Sequence, residues 1–468
     1  MNILQASLVL LAAAGGGIFA AFWGLRRLSR IAEVGAAYKA KVVCSALFVS
    51  GRELSAVLSE DVSVDDYRIL RPFRTVVDRE RGAVTCSFLG LKPRTALFRP
   101  GLGATLCLGE APPQAPPRTR VEAPAPADPS RPGPQGNAPT PEPGPRWDAV
   151  LERAFSEPDA RKLRRTRAVV IVKDGRLHAE RYAPGFDSAM PLCGWSMTKS
   201  VLNALMGLSV GAGRLSLDRT KLLPEWSSPG DPRGKIRLED LLRMRSGLEF
   251  AEIYSDPLRD VTQMLFARPS AWTFAADKPL AHPPGTFWSY SSGTTNILWR
   301  VLRRALEDAG EDALSFPQRA LFGPLGMRSA VLEPDAGGDF VFSSFLYASA
   351  RDWARFGLLY AQNGVWEGRL LLPEGWVKES RTPTPQSPEG RYGAHWWLKI
   401  PKEFGGESAA ARRVPGDAFF ALGHEGQTLA VIPSKGLVAL RLGLSVRIDA
   451  WDLAAFLADC VEAAGESS

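Results

Sequence analysis

The stretch Gly194-Trp195-Ser196-Met197-Thr198-Lys199-Ser200 sets a serine and a lysine three residues apart, at the head of an apolar run with helical period: Val201, Leu202, Leu205, Met206 and Leu208. On a helix, positions i and i+3 share a face, so the Lys199 amine reaches back toward the Ser196 hydroxyl. Unpaired N–H groups of the first turn, together with the macrodipole, favour an alkoxide there and disfavour an ammonium. Burial of the following helix adds desolvation, which pushes the lysine toward a neutral amine able to take the serine proton. Alone, S-x-x-K is weak evidence, because an N-capping serine beside a solvated lysine gives the same pattern. Its company elsewhere in the chain decides.

The 468 residues suffice for one large or two medium domains, and 45% apolar with 23% charged residues is globular composition. The net charge of +7 includes one dense cluster, Arg161, Lys162, Arg164, Arg165 and Arg167, which reads as a solvated helix end. Zinc-finger spacing, RNP-like aromatics and basic repeats are missing, so no nucleic-acid partner is expected. There is no Gly-rich phosphate loop, and His178, His282, His395 and His424 lack metal-ligand spacing; neither cofactor nor metal is expected. A Ser-His-Asp hydrolase is disfavoured by the lack of a G-x-S-x-G elbow.

Residues 1–30 read as a membrane anchor or signal segment, since 3–24 form a nearly unbroken apolar run long enough to span a bilayer. The short head without Lys or Arg, and no small-x-small site before Arg26, favour an uncleaved anchor. Arg26, Arg27 and Arg30 pull the other way on sidedness, because the positive-inside rule would hold that flank in the cytoplasm. Residues 31–110 read as a small β-rich unit with strands at 41–49, 83–89, 96–98 and 104–108. Cys44, Cys86 and Cys107 lie in these runs, leaving a disulfide such as Cys44 with Cys107 and three buried thiols equally open. Residues 111–146 are proline-dense without hydrophobic period and read as a semi-rigid linker.

From 147 to 468 the pattern is α+β. A helix at 147–155 precedes a hairpin, 168–172 and 177–182 about Asp174-Gly175, and helices at 238–244 and 295–305 fill the middle. A second hairpin, 429–433 and 437–442, and a helix at 450–464 close the chain. Strands at both ends with helices between imply an antiparallel sheet flanked by helices plus a helical lobe, with a cleft between them.

Two further segments fall where that cleft needs them. Pro283-Pro284-Gly285-Thr286-Phe287-Trp288-Ser289-Tyr290-Ser291-Ser292-Gly293 is a turn-rich loop presenting a phenol that can relay a proton. Ala421-Leu422-Gly423-His424-Glu425-Gly426-Gln427 leads into the late hairpin; its glycines let backbone approach a substrate, and an edge N–H can join that of Ser196 in holding an oxyanion.

In this order the three segments resemble the serine β-lactamase and penicillin-binding superfamily, where S-x-x-K, Y-x-N or Y-S-x, and K-T-G or H-x-G surround one cleft. The chain looks most similar to the class C β-lactamase-related esterases and 6-aminohexanoate-dimer hydrolases. Supporting text includes Ser246-Gly247-Leu248, Pro284-Gly285-Thr286 and Pro324-Leu325-Gly326-Met327, and the resemblance covers about residues 147–464. It implies a β-lactamase/transpeptidase-like fold with Ser196 acylated, Lys199 its base and Tyr290 the general acid/base. The backbone N–H groups of Ser196 and Gln427, the latter after Gly426, would form the oxyanion hole. His424 would replace the lysine of K-T-G and Ser292 the asparagine of Y-x-N. Those two departures remove β-lactam contacts, so the resemblance implies a serine hydrolase of a small ester or linear amide with a periplasmic body, which the apolar run at 3–24 would anchor to the membrane. A β-lactamase or D,D-peptidase, and a non-catalytic penicillin-binding-like sensor, are the alternatives. Trp288, Trp396 and Trp397 hint at an apolar wall.

Overall fold

The computed structural model describes residues 3–108, 133 and 143–465, with the side chains of residues 3–21 outside the described set. The expected linker at 111–146 lies outside it as well, apart from Gly133 and residues 143–146; the Gly133 carbonyl accepts the Leu177 N–H at 2.9 Å.

The first element is one long helix, α1 (Ile3–Phe48), so residues 41–48 are helical where their Val-Val-Cys content suggested a strand. Tertiary packing overrides that β preference. Ala36, Ala37, Ala40, Val43, Cys44 and Leu47 recur at helical spacing and are buried, and their face lies across a four-stranded antiparallel meander. Its strands are β1 (Phe73–Asp78), β2 (Ala83–Phe88), β3 (Leu91–Arg99) and β4 (Gly103–Cys107), paired in that order. All five cysteines are free thiols, so the Cys44–Cys107 bridge does not form. Among the described residues, no helix is long and apolar enough to cross a membrane.

This N-terminal unit shares one buried cluster with the body of the protein, running from Ala40 and Val84 to Trp195, Met197 and Phe345. Glu333 pins the seam. Fully buried, it takes the Lys41 ammonium, the Ser45 hydroxyl (2.8 Å) and the Ala104 N–H (2.7 Å).

The main sheet is assembled from both ends of the body. Its strands β5 (Thr166–Lys173), β6 (Arg176–Tyr182), β7 (Phe419–Gly423), β8 (Gln427–Ile432) and β9 (Leu437–Gly443) lie in the order β7-β8-β9-β5-β6, every neighbour antiparallel. The β5–β6 turn has Asp174 and Gly175 both at positive φ, the geometry that an Asp-Gly hairpin demands. Side chains alternate between two layers along β5. Val169 and Ile171 join a cluster with α2 (Pro145–Phe155) and the terminal helix, whereas Val170 and Val172 face the larger core. Helices thus cover both faces, which explains why β8 and β9 are buried along their whole length, whereas the edge strand β6 alternates.

The helical lobe holds α3 (Thr198–Gly211) and α4 (Ser292–Asp308). On the sheet side runs α5 (Ala350–Ala361), where Gly357 permits close approach: a Cβ there would stand 2.7 Å from Val438 Cγ1. The terminal helix α6 (Leu453–Gly465) completes the outer layer.

Candidate active site

Where lobe and sheet meet, the short strand Leu192–Cys193 pairs with Leu346–Ala348 and delivers the chain to Gly194. Gly194 is obligatory, since a Cβ would meet the Trp353 ring at 2.2 Å. Trp195 then adopts φ +48, a conformation a bulky side chain rarely takes, and the chain enters a 3-10 turn at Trp195–Met197 before α3. Ser196 sits in this turn, partly accessible, at the junction the sequence pattern placed it.

Lys199, on the first turn of α3, is 1% exposed. Its Nζ lies 2.8 Å from Ser196 Oγ, 3.1 Å from Ser292 Oγ and 2.9 Å from the Ser343 carbonyl. Burial pulls its pKa down to about 8, with the Glu252 carboxylate holding it up in part. An amine at that pKa keeps a minor but useful neutral fraction near physiological pH. It can then accept the Ser196 proton while donating to Ser343.

Glu252 was not visible as a site residue in the sequence. It accepts the Ser292 hydroxyl at 2.5 Å and the Ser292 N–H at 2.8 Å, so Ser292 bridges Lys199 to a carboxylate at the head of α4. Burial raises the Glu252 pKa, and the nearby Lys199 draws it back. Removing that carboxylate should therefore ease deprotonation of Lys199. If Lys199 is the base, kcat/KM rises with pH through an apparent pKa near 8, and Glu252→Gln moves that limb to lower pH. A pH-rate profile measures both. An unmoved limb would detach Glu252 from the base.

Tyr290 lies beside this pair, its ring centroid 4.9 Å from Lys199 Nζ. Burial pushes its phenol far above the ordinary tyrosine value, with Glu252 adding to the rise and the Ser196 hydroxyl opposing it, so it stays protonated at working pH. Trp397 (5.5 Å) and Tyr392 (5.8 Å) pack on the ring, and Trp288 lies 6.2 Å from Trp397. This is the expected apolar wall without Trp396. That side chain is fully buried against Tyr360 and Phe419 and belongs to the core.

The third segment closes the opposite side. A Cβ on Gly423 would stand 2.3 Å from the Gly194 carbonyl, so the end of β7 rests directly on the serine turn. Gly426 has φ +80. The Gln427 side chain locks onto the Gly443 backbone, donating to its carbonyl at 2.6 Å and accepting its N–H at 2.9 Å. His424 stacks on Tyr254 (4.4 Å), meets the Trp195 edge (5.3 Å) and has Nε2 3.3 Å from the Tyr67 hydroxyl. Burial lowers its pKa, only partly opposed by Glu425, so it is a neutral, half-buried ring. It does not reproduce the free cation of a K-T-G lysine.

Tyr254 is the second residue that the sequence did not single out; its buried hydroxyl, beside Ser292 and Ser344, makes no well-formed hydrogen bond. No local spacing could have found it or Glu252, because both come from the irregular stretch before the helix at Asp260–Ala267. The remaining histidines stand apart: His395 is buried and neutral, its pKa pushed down to about 3, while His178 packs on Trp147 and His282 on Phe287. Among the described residues, no group of three or more His, Cys, Asp or Glu is placed to hold a metal ion.

With this geometry in hand, a family model described as Beta-lactamase matches residues 151–443. The chain is 25% identical over 284 residues to the 6-aminohexanoate-dimer hydrolase of Paenarthrobacter ureafaciens, covering 55% of this chain and 70% of that one. A penicillin-binding protein homolog from Caulobacter crescentus superposes with a TM-score of 0.51 at 17% identity, over 70% of this chain and 99% of the other. EstCE1, a hydrolase with promiscuous acyltransferase activity, does so with a TM-score of 0.50 at 15% identity, over 68% and 97%.

Proposed function

The chain belongs to the beta-lactamase family and is a serine hydrolase of that fold; from this premise we propose that it cleaves ester or linear amide bonds through an acyl-enzyme on Ser196. The observation that carries the reading is the 2.8 Å contact between Ser196 Oγ and a buried lysine amine whose pKa is lowered. Lys199 takes the Ser196 proton as Oγ attacks the carbonyl carbon. Tyr290, protonated and adjacent, passes a proton to the leaving oxygen or nitrogen. The Ser196 and Gln427 N–H groups hold the oxyanion, and water then hydrolyses the acyl-enzyme by the reverse relay.

The substrate class follows from what surrounds the serine. His424 is neutral and half-buried where β-lactam enzymes of the superfamily hold a lysine, and Ser292 is bonded to Glu252. The aromatic wall of Trp288, Tyr290 and Trp397 suits an uncharged chain. The relative is named for hydrolysis of a 6-aminohexanoate dimer, and an amide is the bond that joins two amino acids, which favours that class here. We also propose that residues 3–24 hold the protein at a membrane with the body on the periplasmic side, supported by the apolar run alone. In spheroplasts, a body that protease reaches only after lysis would overturn the sidedness.

A fluorophosphonate probe together with an ester, amide and β-lactam panel tests the activity. Labelling of the wild type, none of Ser196→Ala, and turnover of neutral esters or linear amides are expected. Absence of wild-type labelling would leave a non-catalytic sensor, and preferential β-lactam turnover would return the enzyme to the antibiotic class.

A further inference from the structure

Two non-glycine residues with left-handed backbone flank the segments assigned to the oxyanion hole: Trp195 (φ +48) immediately before Ser196, and Glu425 (φ +63) two residues before Gln427. Such conformations persist only where the surroundings over-determine them. Here each holds the other. Trp195 Nε1 donates to Glu425 Oε2 at 3.0 Å, and both residues are buried. Behind Glu425, the Arg441 guanidinium donates to the carbonyls of Glu425 (3.1 Å) and Gly426 (3.0 Å), and the Ser445 N–H also reaches the Glu425 carbonyl (3.0 Å).

The other carboxylate oxygen is claimed from outside the hydrolase region. Tyr67, on the 3-10 turn Asp65–Leu70, donates its hydroxyl to Glu425 Oε1 at 2.7 Å, and the Tyr38 hydroxyl of α1 stands 3.5 Å from the same atom. The two rings pack at 5.3 Å, and Tyr38 also meets Phe266 edge-on at 5.3 Å. Both tyrosines precede the family match, which begins at residue 151.

We propose that Tyr67, Glu425 and Trp195 form a latch through which the N-terminal unit sets the separation of the Ser196 and Gln427 N–H groups, making that unit part of the acyl-transfer apparatus. The inference rests on the acyl-enzyme reading above. Tyr67 and Glu425 are positioning residues, since each acts through the backbone it holds. Electrostatics sharpens the requirement. A buried carboxylate in the segment that leads to Gln427 opposes a developing oxyanion less when donors disperse its charge, and Trp195, Tyr67 and Tyr38 are those donors. Loss of one donor should therefore weaken binding of the transition state more than that of the substrate.

The test uses the full chain, p-nitrophenyl butyrate as ester and phenylboronic acid as a tetrahedral analogue, with Tyr67→Phe, Glu425→Gln and Glu425→Ala. Tyr67→Phe should lower kcat about 10-fold with KM within about twofold, and weaken phenylboronic acid by the same factor; outright loss of an oxyanion donor costs about 100- to 1,000-fold. Glu425→Gln should fall between wild type and Glu425→Ala, because its amide oxygen still accepts from Trp195. Unchanged kcat in Tyr67→Phe would overturn the latch, as would a rise in KM alone or a glutamine no better than alanine. Should Glu425→Ala fail to fold, the other two variants still decide. A wild type that neither labels with fluorophosphonate nor turns over ester would instead remove the acyl-enzyme reading.

Discussion

Lys199→Ala is expected to slow acylation of Ser196 by at least ~100-fold, with the variant still folded. General acid-base groups contribute about 100- to 10,000-fold, and the lower bound applies because water can occupy the vacated space as a poor base. The magnitude follows from the position of the amine. Its pKa of about 8 is low enough for a useful neutral fraction at pH 7 yet high enough to draw a proton from an attacking hydroxyl. Among side-chain nitrogens on the described residues, Lys199 Nζ is the hydrogen-bond partner of Ser196 Oγ, so no histidine is placed to substitute. Lys199→Arg should be no better than alanine, since a guanidinium does not deprotonate in this range. Stopped-flow acylation with an activated ester measures the step directly, and the pH limb near 8 should vanish along with the rate. A Lys199→Ala enzyme acylating within tenfold of wild type would show that another group takes the proton.

That the pair was legible from four letters, S-x-x-K, reflects how local its geometry is. Three residues of helix fix both side chains, and the apolar run that buries the helix also desolvates the amine. The late hairpin and the Asp-Gly hairpin were legible for the same reason, each combining a turn signal with flanking apolar runs. Long-range partners were not. Glu252 reaches Ser292 across 40 residues and Glu425 reaches Trp195 across 230, with no periodicity connecting them. Trp396 and Trp397 show the limit of composition: consecutive residues of an extended segment point to opposite sides, so one packs in the core and its neighbour lines the site. Residues 41–48 misled because Val and Cys are at home in strands, whereas the alanine-rich turns before them continue the helix over a sheet that only the folded chain reveals.

Breaking the seam at Glu333 carries the largest expected effect on stability. Glu333→Ala would leave the Lys41 ammonium buried without its carboxylate, with the Ser45 hydroxyl at 3.2 Å and the Phe345 ring face at 4.1 Å as remaining partners, and would strip the Ser45 hydroxyl and the Ala104 N–H of their acceptor. Removing one partner of a buried ion pair costs about 3–5 kcal/mol, which is a large share of the stability of an ordinary domain. Because the pair joins α1 to the body, the loss should be cooperative, a single earlier unfolding transition and not separate melting of the N-terminal unit. Gly103 reinforces the expectation: a Cβ there would lie 2.5 Å from Glu333, so the β3–β4 turn is fitted around the carboxylate and cannot repack over a void without moving. The pair need not be ionic to hold the seam. Lys41→Met with Glu333→Leu should recover part of the loss, since apolar groups of similar volume often replace a buried pair without penalty. Denaturant melts of the two single variants and the double variant close the cycle, and a loss below about 1 kcal/mol in Glu333→Ala would mean that the N-terminal unit is only loosely attached. A cooperative loss would carry over to catalysis through Tyr38 and Tyr67, so Glu333→Ala should lose ester turnover at lower denaturant concentration than wild type, in step with its unfolding.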